Sequence, residues 1–141
     1  MRIVQFRTDS DPYSLGKARR RIRNTLMQAG LSLSAADRVE IAVGEALANV
    51  YEHAYRAGVG PVWVKAVRAA EALTVAVTDN GRATEPPSVP IMPPPVRSGY
   101  RGRGLYMMRC LMDDVAISVN PEGHGLMVRM TMRLEQRDAV A

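Results

Sequence analysis

The longest helical pattern in the chain contains the sequence EALANVYEHA at residues 45–54. The pattern predicts a helix from about Ser34 to about Arg56, because Gly58 and Gly60 follow and interrupt it. Apolar side chains recur within it at the spacing of one helical face, which predicts packing against a sheet. This apolar face comprises Val39, Val43, Ala46, Leu47, Val50 and Ala54.

A second stripe on the same helix is polar and lies on a different side. It consists of Glu45, Asn49, Glu52, His53 and Arg56. Polar stripes usually face solvent, and helical periodicity alone favours that interpretation. Ile41 and Ala48 flank this stripe, however, so that Glu45 and Asn49 could instead line a partly apolar cleft. The helix pattern leaves both interpretations open.

The segments on either side of this helix predict a small mixed domain. A strand, a helix that Ser10 or Asp11 caps ahead of Pro12, a hairpin, a short helix and two closing strands are expected. The expected ranges are Arg2–Arg7, Pro12–Ala29, Val62–Ala69, Leu73–Thr78, Gly102–Met112, Val115–Val119 and Leu126–Leu134. This order predicts an α+β fold, a two-layer sandwich with helices on one face of a mixed, mostly antiparallel sheet.

The second strand of the hairpin runs directly into Asp79-Asn80-Gly81. A simple turn explains this triplet well. A functional interpretation is that Asp79, held at the strand end, accepts a hydrogen bond from the exocyclic amine of a purine. Gly81 would then let the backbone approach the base closely.

A glycine-rich segment leads into the short third helix, with the sequence SGYRGRGL at residues 98–105. Unpaired amides at a helix N-terminus bind phosphate, and Arg101 and Arg103 could add charge-assisted hydrogen bonds. A flexible hinge is the alternative. The dinucleotide fingerprint is excluded because no third glycine follows at the required spacing, and a Walker-type loop is excluded at Lys17 because no hydroxyl follows it.

Length and composition limit the classes of protein to consider. At 141 residues and 15.5 kDa the chain has the length of one domain. No apolar run has membrane-spanning length, and the first 14 residues lack the apolar core of a signal peptide, so we expect a cytoplasmic protein without membrane attachment. Cys110 is the only cysteine, which excludes an intrachain disulfide, and we expect it to pack within a helix.

The net charge of +5 is spread along the chain, apart from one cluster on the first helix. That cluster comprises Lys17, Arg19, Arg20, Arg21 and Arg23. Aromatic residues make up only 5% of the chain, and nucleic-acid surfaces usually combine them with cations, so we expect no nucleic-acid partner. The basic helix is either a solvated face or a docking face for an acidic protein.

Taken in order, these motifs resemble the three nucleotide-binding boxes of the GHKL ATPase superfamily. The matching residues are Glu45 to Asn49 with Glu52-His53, then Asp79-Asn80-Gly81, then Gly102-Arg103-Gly104-Leu105. Within the superfamily, the chain is most similar to the anti-sigma-factor serine/threonine kinases. The resemblance covers almost the entire chain and implies one ATP-binding kinase domain, residues 1–141, of the GHKL or Bergerat type.

The resemblance also implies ATP and Mg²⁺ as cofactors and assigns roles to the motif residues. Asn49 would coordinate Mg²⁺, Glu45 would act as the catalytic base, and Asp79 would bind the adenine amine beside Gly81. The phosphates would be bound by Arg101, Gly102, Arg103, Gly104 and Leu105. The Pro-rich segment 84–101 would form a lid over the nucleotide.

The function implied is that of a partner-switching kinase, an anti-sigma factor that phosphorylates a STAS-type antagonist protein, with a homodimer possible. The alternative is a module that binds ATP and sequesters a partner without phosphoryl transfer. Two departures from the family pattern are the sequence Arg82-Ala83 after Gly81, and Leu126 after Gly125 where a threonine is frequent. Neither removes Asn49 or Asp79.

Overall fold

Three α-helices and five strands form the part of the chain that the computed structural model describes, residues 1–56, 58–93 and 103–135. The strands are β1 (Arg2–Asp9), β2 (Pro61–Arg68), β3 (Ala72–Asp79), β4 (Asp114–Val119) and β5 (Leu126–Arg133). The helices are α1 (Pro12–Gln28), α2 (Leu33–Asn49) and α3 (Arg103–Leu111). A π-helical turn, Val50–Ala54, continues directly from α2.

The five strands form one sheet in the order β1-β2-β3-β5-β4, and each of the four pairings is antiparallel. The predicted hairpin is β2 with β3, in which Val64 lies opposite Val77. Side chains of β3 alternate strictly, and its buried positions begin at Leu73 and end at Asp79. The sheet therefore offers one apolar face to the helices, and the two-layer fold class is confirmed.

The first two helices, α1 and α2, begin where a side chain satisfies one of their free backbone N–H groups. Asp11 caps α1, its Oδ1 accepting from the Ser14 N–H at 2.9 Å, and Pro12 occupies the first turn. Ser32 caps α2 by accepting from the Ala35 N–H at 3.1 Å, so α2 starts slightly earlier than predicted. The helical segment expected to reach Arg56 changes to π-helical form after Asn49 and ends at Ala54.

Ion pairs join α1 to α2 and use part of the basic cluster. Arg23 pairs with Asp37 and, at 2.8 Å, with Glu40, while Arg19 approaches Glu40 at 3.5 Å. Lys17, Arg20 and Arg21 instead border a shallow groove on α1. The structure thus divides the cluster into cations that fix the helix pair and cations that remain on the surface.

Two further expectations concern the environment of Cys110 and membrane-spanning helices. Cys110 lies on a helix, α3, as expected, and its side chain is exposed. None of the helices in the described ranges combines the length and apolarity needed to cross a bilayer.

We expect Ile22→Ala on α1 to lower the free energy of unfolding by about 2 to 5 kcal/mol, since Ile22 is fully buried and truncation leaves a cavity. Urea denaturation measures the loss. Met27→Ala is the matched control, because Met27 lies on the same helix at 40% exposure and should cost far less. Equal losses for the two variants would contradict this packing of α1.

Candidate functional site

A cavity of about 640 Å³ lies where the end of α2, the end of β3 and the beginning of α3 meet. Apolar side chains form much of its wall: Ala46, Val50, Val77, Leu105, Leu126 and Val128. Asn49, His53 and Asp79 contribute polar groups to the same lining. An apolar cavity with a few convergent polar groups is the usual form of a small-molecule site.

The polar stripe of α2 divides between this cavity and solvent. Asn49 lines the cavity and Glu45, one helical turn earlier, is half-buried. Glu52 and Arg56 are exposed, and the solvated-face interpretation holds for them. His53 is exposed as well, yet it borders the cavity. The π-helical turn follows immediately after Asn49, and turns of this kind occur frequently at functional sites.

The first turn of α3 packs against the polar stripe of α2 at Gly104. A Cβ atom added at Gly104 would lie 2.8 Å from Glu45 Oε2 and 3.7 Å from Asn49 Oδ1. At the other end of α3, Arg38 of α2 donates a hydrogen bond to the Leu111 carbonyl at 2.9 Å. The two helices thus run antiparallel, and the glycine-rich entrance to α3 adjoins Glu45 and Asn49.

Asp79 is a buried carboxylate at the end of β3, with a relative exposure of 5%. Its Oδ1 accepts hydrogen bonds from the Gly81 N–H at 2.8 Å and from the Leu126 N–H at 3.3 Å. Burial raises the pKa of Asp79, and the two N–H donors and the nearby His124 partly offset that rise. The carboxylate is thus held rigidly at the cavity wall at a cost in desolvation.

Close packing against the backbone explains why residue 81 is glycine, and the sequence alone did not reveal this contact. A Cβ atom there would lie 2.2 Å from the Ala54 carbonyl oxygen, and the next residue, Arg82, donates its N–H to that same carbonyl at 3.0 Å. The turn after β3 therefore packs directly on the end of the π-helical turn. Gly81 itself is outside the cavity lining, whereas Asp79 is within it.

The predicted site residues fall into four groups. Asn49, Asp79 and Leu105 share one cavity, and Glu45, Gly81 and Gly104 contact its supporting backbone or side chains. Arg103 begins α3 and is exposed. Arg101 and Gly102 lie outside the described residues, as does the second half of the predicted lid. Of that lid, residues 85–88 line the cavity and have no regular structure.

Sequence reasoning missed the polar residues that brace the site from behind. Asn120 donates from Nδ2 to the Asp79 carbonyl at 2.8 Å, and the Tyr55 hydroxyl accepts from the Asn80 N–H at 3.2 Å. The apolar residues of β5 that form part of the cavity wall were predicted only as part of a closing strand. The one available signal was the departure at Gly125-Leu126, because Leu126 contributes both its N–H to Asp79 and its side chain to the wall.

The donor set can be compared with the needs of Mg²⁺. Among the residues that the structure describes, no group of three or more His, Cys, Asp or Glu could hold a metal by itself. A magnesium ion with one protein oxygen ligand and further oxygens from phosphate and water fits the side chain of Asn49. The residues thus fit a metal that enters with a nucleotide.

Comparison with known proteins gives one family and several relatives. Residues 8–132 match a family model described as a histidine kinase-like ATPase domain. The chain is 29% identical over 96 residues to the anti-sigma F factor of Thermoanaerobacter sp. (strain X514), a match that spans 66% of this chain and 66% of the relative. It is 27% identical over 116 residues to the serine-protein kinase RsbW of Bacillus cereus (strain AH187), spanning 77% of this chain and 72% of the relative.

A solved structure supports the fold. The RsbU and RsbW domains of a Mycobacterium tuberculosis protein superpose with a TM-score of 0.70 at 20% identity, covering 97% of this chain and 33% of that chain. The histidine kinase domain of a blue-light activated kinase from Erythrobacter litoralis gives 0.54 at 22% identity, covering 89% and 61%. At these identities the likeness concerns the arrangement of helices and strands.

We expect Asp79→Asn to make the folded protein more stable at pH 7. Because its pKa is raised on folding, the ionised carboxylate costs stability once the pH exceeds the folded pKa, and that cost is absent below the unfolded pKa. Asparagine keeps an oxygen acceptor for the two N–H groups but carries no charge. The gain should therefore shrink as the pH falls toward about 4.

Urea denaturation at pH 7 and at successively lower pH measures this difference. Asp114→Asn is the matched control, since Asp114 is an exposed carboxylate on β4 and its replacement should change stability by less than about 0.5 kcal/mol. A destabilisation by Asp79→Asn that is constant across pH would show that the carboxylate serves the fold rather than a ligand.

Proposed function

Since the chain belongs to the histidine kinase-like ATPase domain family, we propose that it binds ATP with Mg²⁺ in the cavity between α2, β3 and α3. We further propose that it transfers the γ-phosphoryl group to a serine or threonine hydroxyl of a partner protein. The observation that carries this proposal is the convergence of Asn49, Asp79 and Leu105, far apart in sequence, on one cavity beside Glu45.

The adenine would lie at the end of β3. Asp79 Oδ1 is held by two backbone N–H groups, which leaves Oδ2 as the acceptor for the exocyclic amine. Val77, Leu126 and Val128 offer apolar surface to the faces of the ring. Burial of this carboxylate strengthens its hydrogen bond to a ligand, because competing water is excluded.

The phosphates and the metal would lie between α2 and the first turn of α3. The Asn49 amide oxygen is a hard neutral ligand that suits Mg²⁺, and the metal would neutralise charge on the phosphates. The close packing at Gly104 brings the free N–H groups of α3 toward the same place. Arg103, exposed at the beginning of α3, can add a charge-assisted hydrogen bond.

Glu45 is the residue we assign to proton transfer. Its carboxylate lies one helical turn from Asn49 and is half-buried, so that a hydroxyl from another protein can reach it. In the proposed step Glu45 accepts the hydroxyl proton while the new oxygen–phosphorus bond forms and ADP departs. The other residues bind, orient and exclude water, which supplies most of the catalysis in phosphoryl transfer.

The substrate class and partners rest on the relatives. Those relatives are named anti-sigma F factor and serine-protein kinase RsbW. We propose the same partner switching here: the chain sequesters a sigma factor in one state and phosphorylates a STAS-type antagonist in the other. Residues 1–141 would act as one domain, and the segment 84–101 would cover the nucleotide, in keeping with the position of residues 85–88 at the cavity.

We expect Asn49→Ala to weaken Mg²⁺-dependent ATP binding by at least tenfold, because it removes the proposed protein ligand of the metal. Isothermal titration calorimetry with and without Mg²⁺ measures the affinity. Asn24→Ala, at an exposed position on α1, is the matched control and should bind as the wild type does. Unchanged affinity of Asn49→Ala would remove the metal assignment.

We expect Glu45→Gln to lower phosphoryl transfer by about 10²- to 10⁴-fold, because glutamine cannot accept the hydroxyl proton. Its ATP affinity should stay within about threefold of the wild type. The assay combines radiolabelled ATP with a STAS-type antagonist and uses Glu52→Gln as control, since Glu52 is an exposed acid on the same helical segment. Full activity in Glu45→Gln refutes the assigned base, whereas tight ATP binding without transfer by the wild type supports a sequestration module.

A further inference from the structure

The turn between β4 and β5, residues 120–125, holds the loop that follows β3, residues 79–83. Asn120 Nδ2 donates to the Asp79 carbonyl at 2.8 Å, and the Gly125 N–H donates to the Ala83 carbonyl at 2.8 Å. Gly125 adopts a φ of +86°, and a Cβ there would lie 2.3 Å from the Asp79 carbonyl oxygen. The two segments thus meet at backbone distance.

His124 closes this contact from the solvent side. Its Nδ1 lies 2.8 Å from the Asn80 carbonyl oxygen and 3.0 Å from the Gly81 carbonyl oxygen. Carbonyl oxygens only accept hydrogen bonds, so Nδ1 must carry the proton and share it between the two. The geometry therefore requires either the Nδ1–H tautomer or the imidazolium form.

His124 binds the carbonyl oxygens of two successive peptide groups. The N–H group of each of these peptides donates a hydrogen bond on the opposite side, toward the site. The planar peptide between Asn80 and Gly81 carries the carbonyl that His124 binds and the N–H that donates to Asp79 Oδ1. The next peptide carries the Gly81 carbonyl and the Arg82 N–H, which donates to the Ala54 carbonyl. Rotation of either plane would break a bond on each side.

We propose that His124 is a positioning residue that sets the recognition of the adenine amine, by fixing the peptide plane that orients the Asp79 carboxylate. The inference rests on the proposed function for its ligand and goes beyond it in its assignment of specificity to this turn. Among the residues that the structure describes, His124 is outside the cavity lining, and it reaches the site through its hydrogen bonds to this loop and its electrostatic effect on Asp79.

The test compares ATP with inosine triphosphate, in which a carbonyl oxygen replaces the amine that Asp79 binds. The variants of the full chain are His124→Ala, His124→Asn and His124→Gln. The Asn amide nitrogen falls near the position of Nδ1 and the Gln nitrogen near that of Nε2, so that only asparagine can restore the donor. Calorimetry with Mg²⁺ measures the Kd of each variant for both nucleotides, and the ratio of the two Kd values gives its preference for ATP over inosine triphosphate.

We expect the wild type and His124→Asn to prefer ATP. In His124→Ala and His124→Gln this preference should fall by about fivefold, which is the effect of one ordinary hydrogen bond. A merely structural role would weaken both nucleotides equally. An equal loss for both, or an unchanged ratio in His124→Ala, would overturn the proposal.

A second measurement, made without nucleotide, separates this inference from the proposed function. Amide hydrogen exchange at Gly81 and Leu126 should be faster in His124→Ala and restored in His124→Asn, because both amides donate to Asp79 Oδ1. If the wild type does not bind ATP but this exchange pattern is found, the function fails and the contact stands. Unchanged exchange at both amides overturns the positioning role itself.

Discussion

Two close contacts at glycine residues determine the shape of the site. At Gly81 the turn after β3 packs on the carbonyl of Ala54, and at Gly104 the first turn of α3 packs on the carboxylate of Glu45. A larger residue at Gly81 would force rigid backbone apart, whereas one at Gly104 would displace only the end of a flexible side chain. The wall of the cavity between α2, β3 and α3 depends on the first contact, and the position of Glu45 on the second.

The arrangement also places a buried acid, Asp79, at the end of β3, and the desolvation of its carboxylate lowers the stability of the fold. Asp79 would be easier to accommodate as a neutral residue, since burial opposes its ionised form. Protein chains retain such groups where binding or catalysis requires them, and the stability of the surrounding fold offsets the penalty. The braces around Asp79, from Asn120 through Leu126, are numerous enough to hold the carboxylate in one orientation.

Much of the fold follows from local sequence signals. The cap at Asp11 with Pro12, the alternation in β3 and the hairpin between β2 and β3 each arise from neighbouring residues, and the structure agrees with them closely. The order of the three motifs predicted that α2, β3 and α3 contribute to one site. The π-helical turn was not predicted, because its sequence is compatible with an ordinary helix and its form depends on packing.

The contacts that brace the site could not be inferred from the sequence, because they also depend on how distant elements pack together. The hydrogen bond between His124 and the Asn80 carbonyl joins residues 44 positions apart, and it depends on the register of β3 with β5. The exposure of Cys110 likewise depends on which side of α3 faces the sheet. Neither has a local pattern, since both arise only when separate elements pack together.

The central claim is that three distant segments bind one nucleotide, and an NMR titration of the labelled chain with ATP and Mg²⁺ tests it most directly. Our account predicts that amide signals in residues 45–54, 79–83 and 104–106 shift together and give a single Kd. Shifts confined to the basic groove on α1, or different Kd values for the three segments, would contradict it.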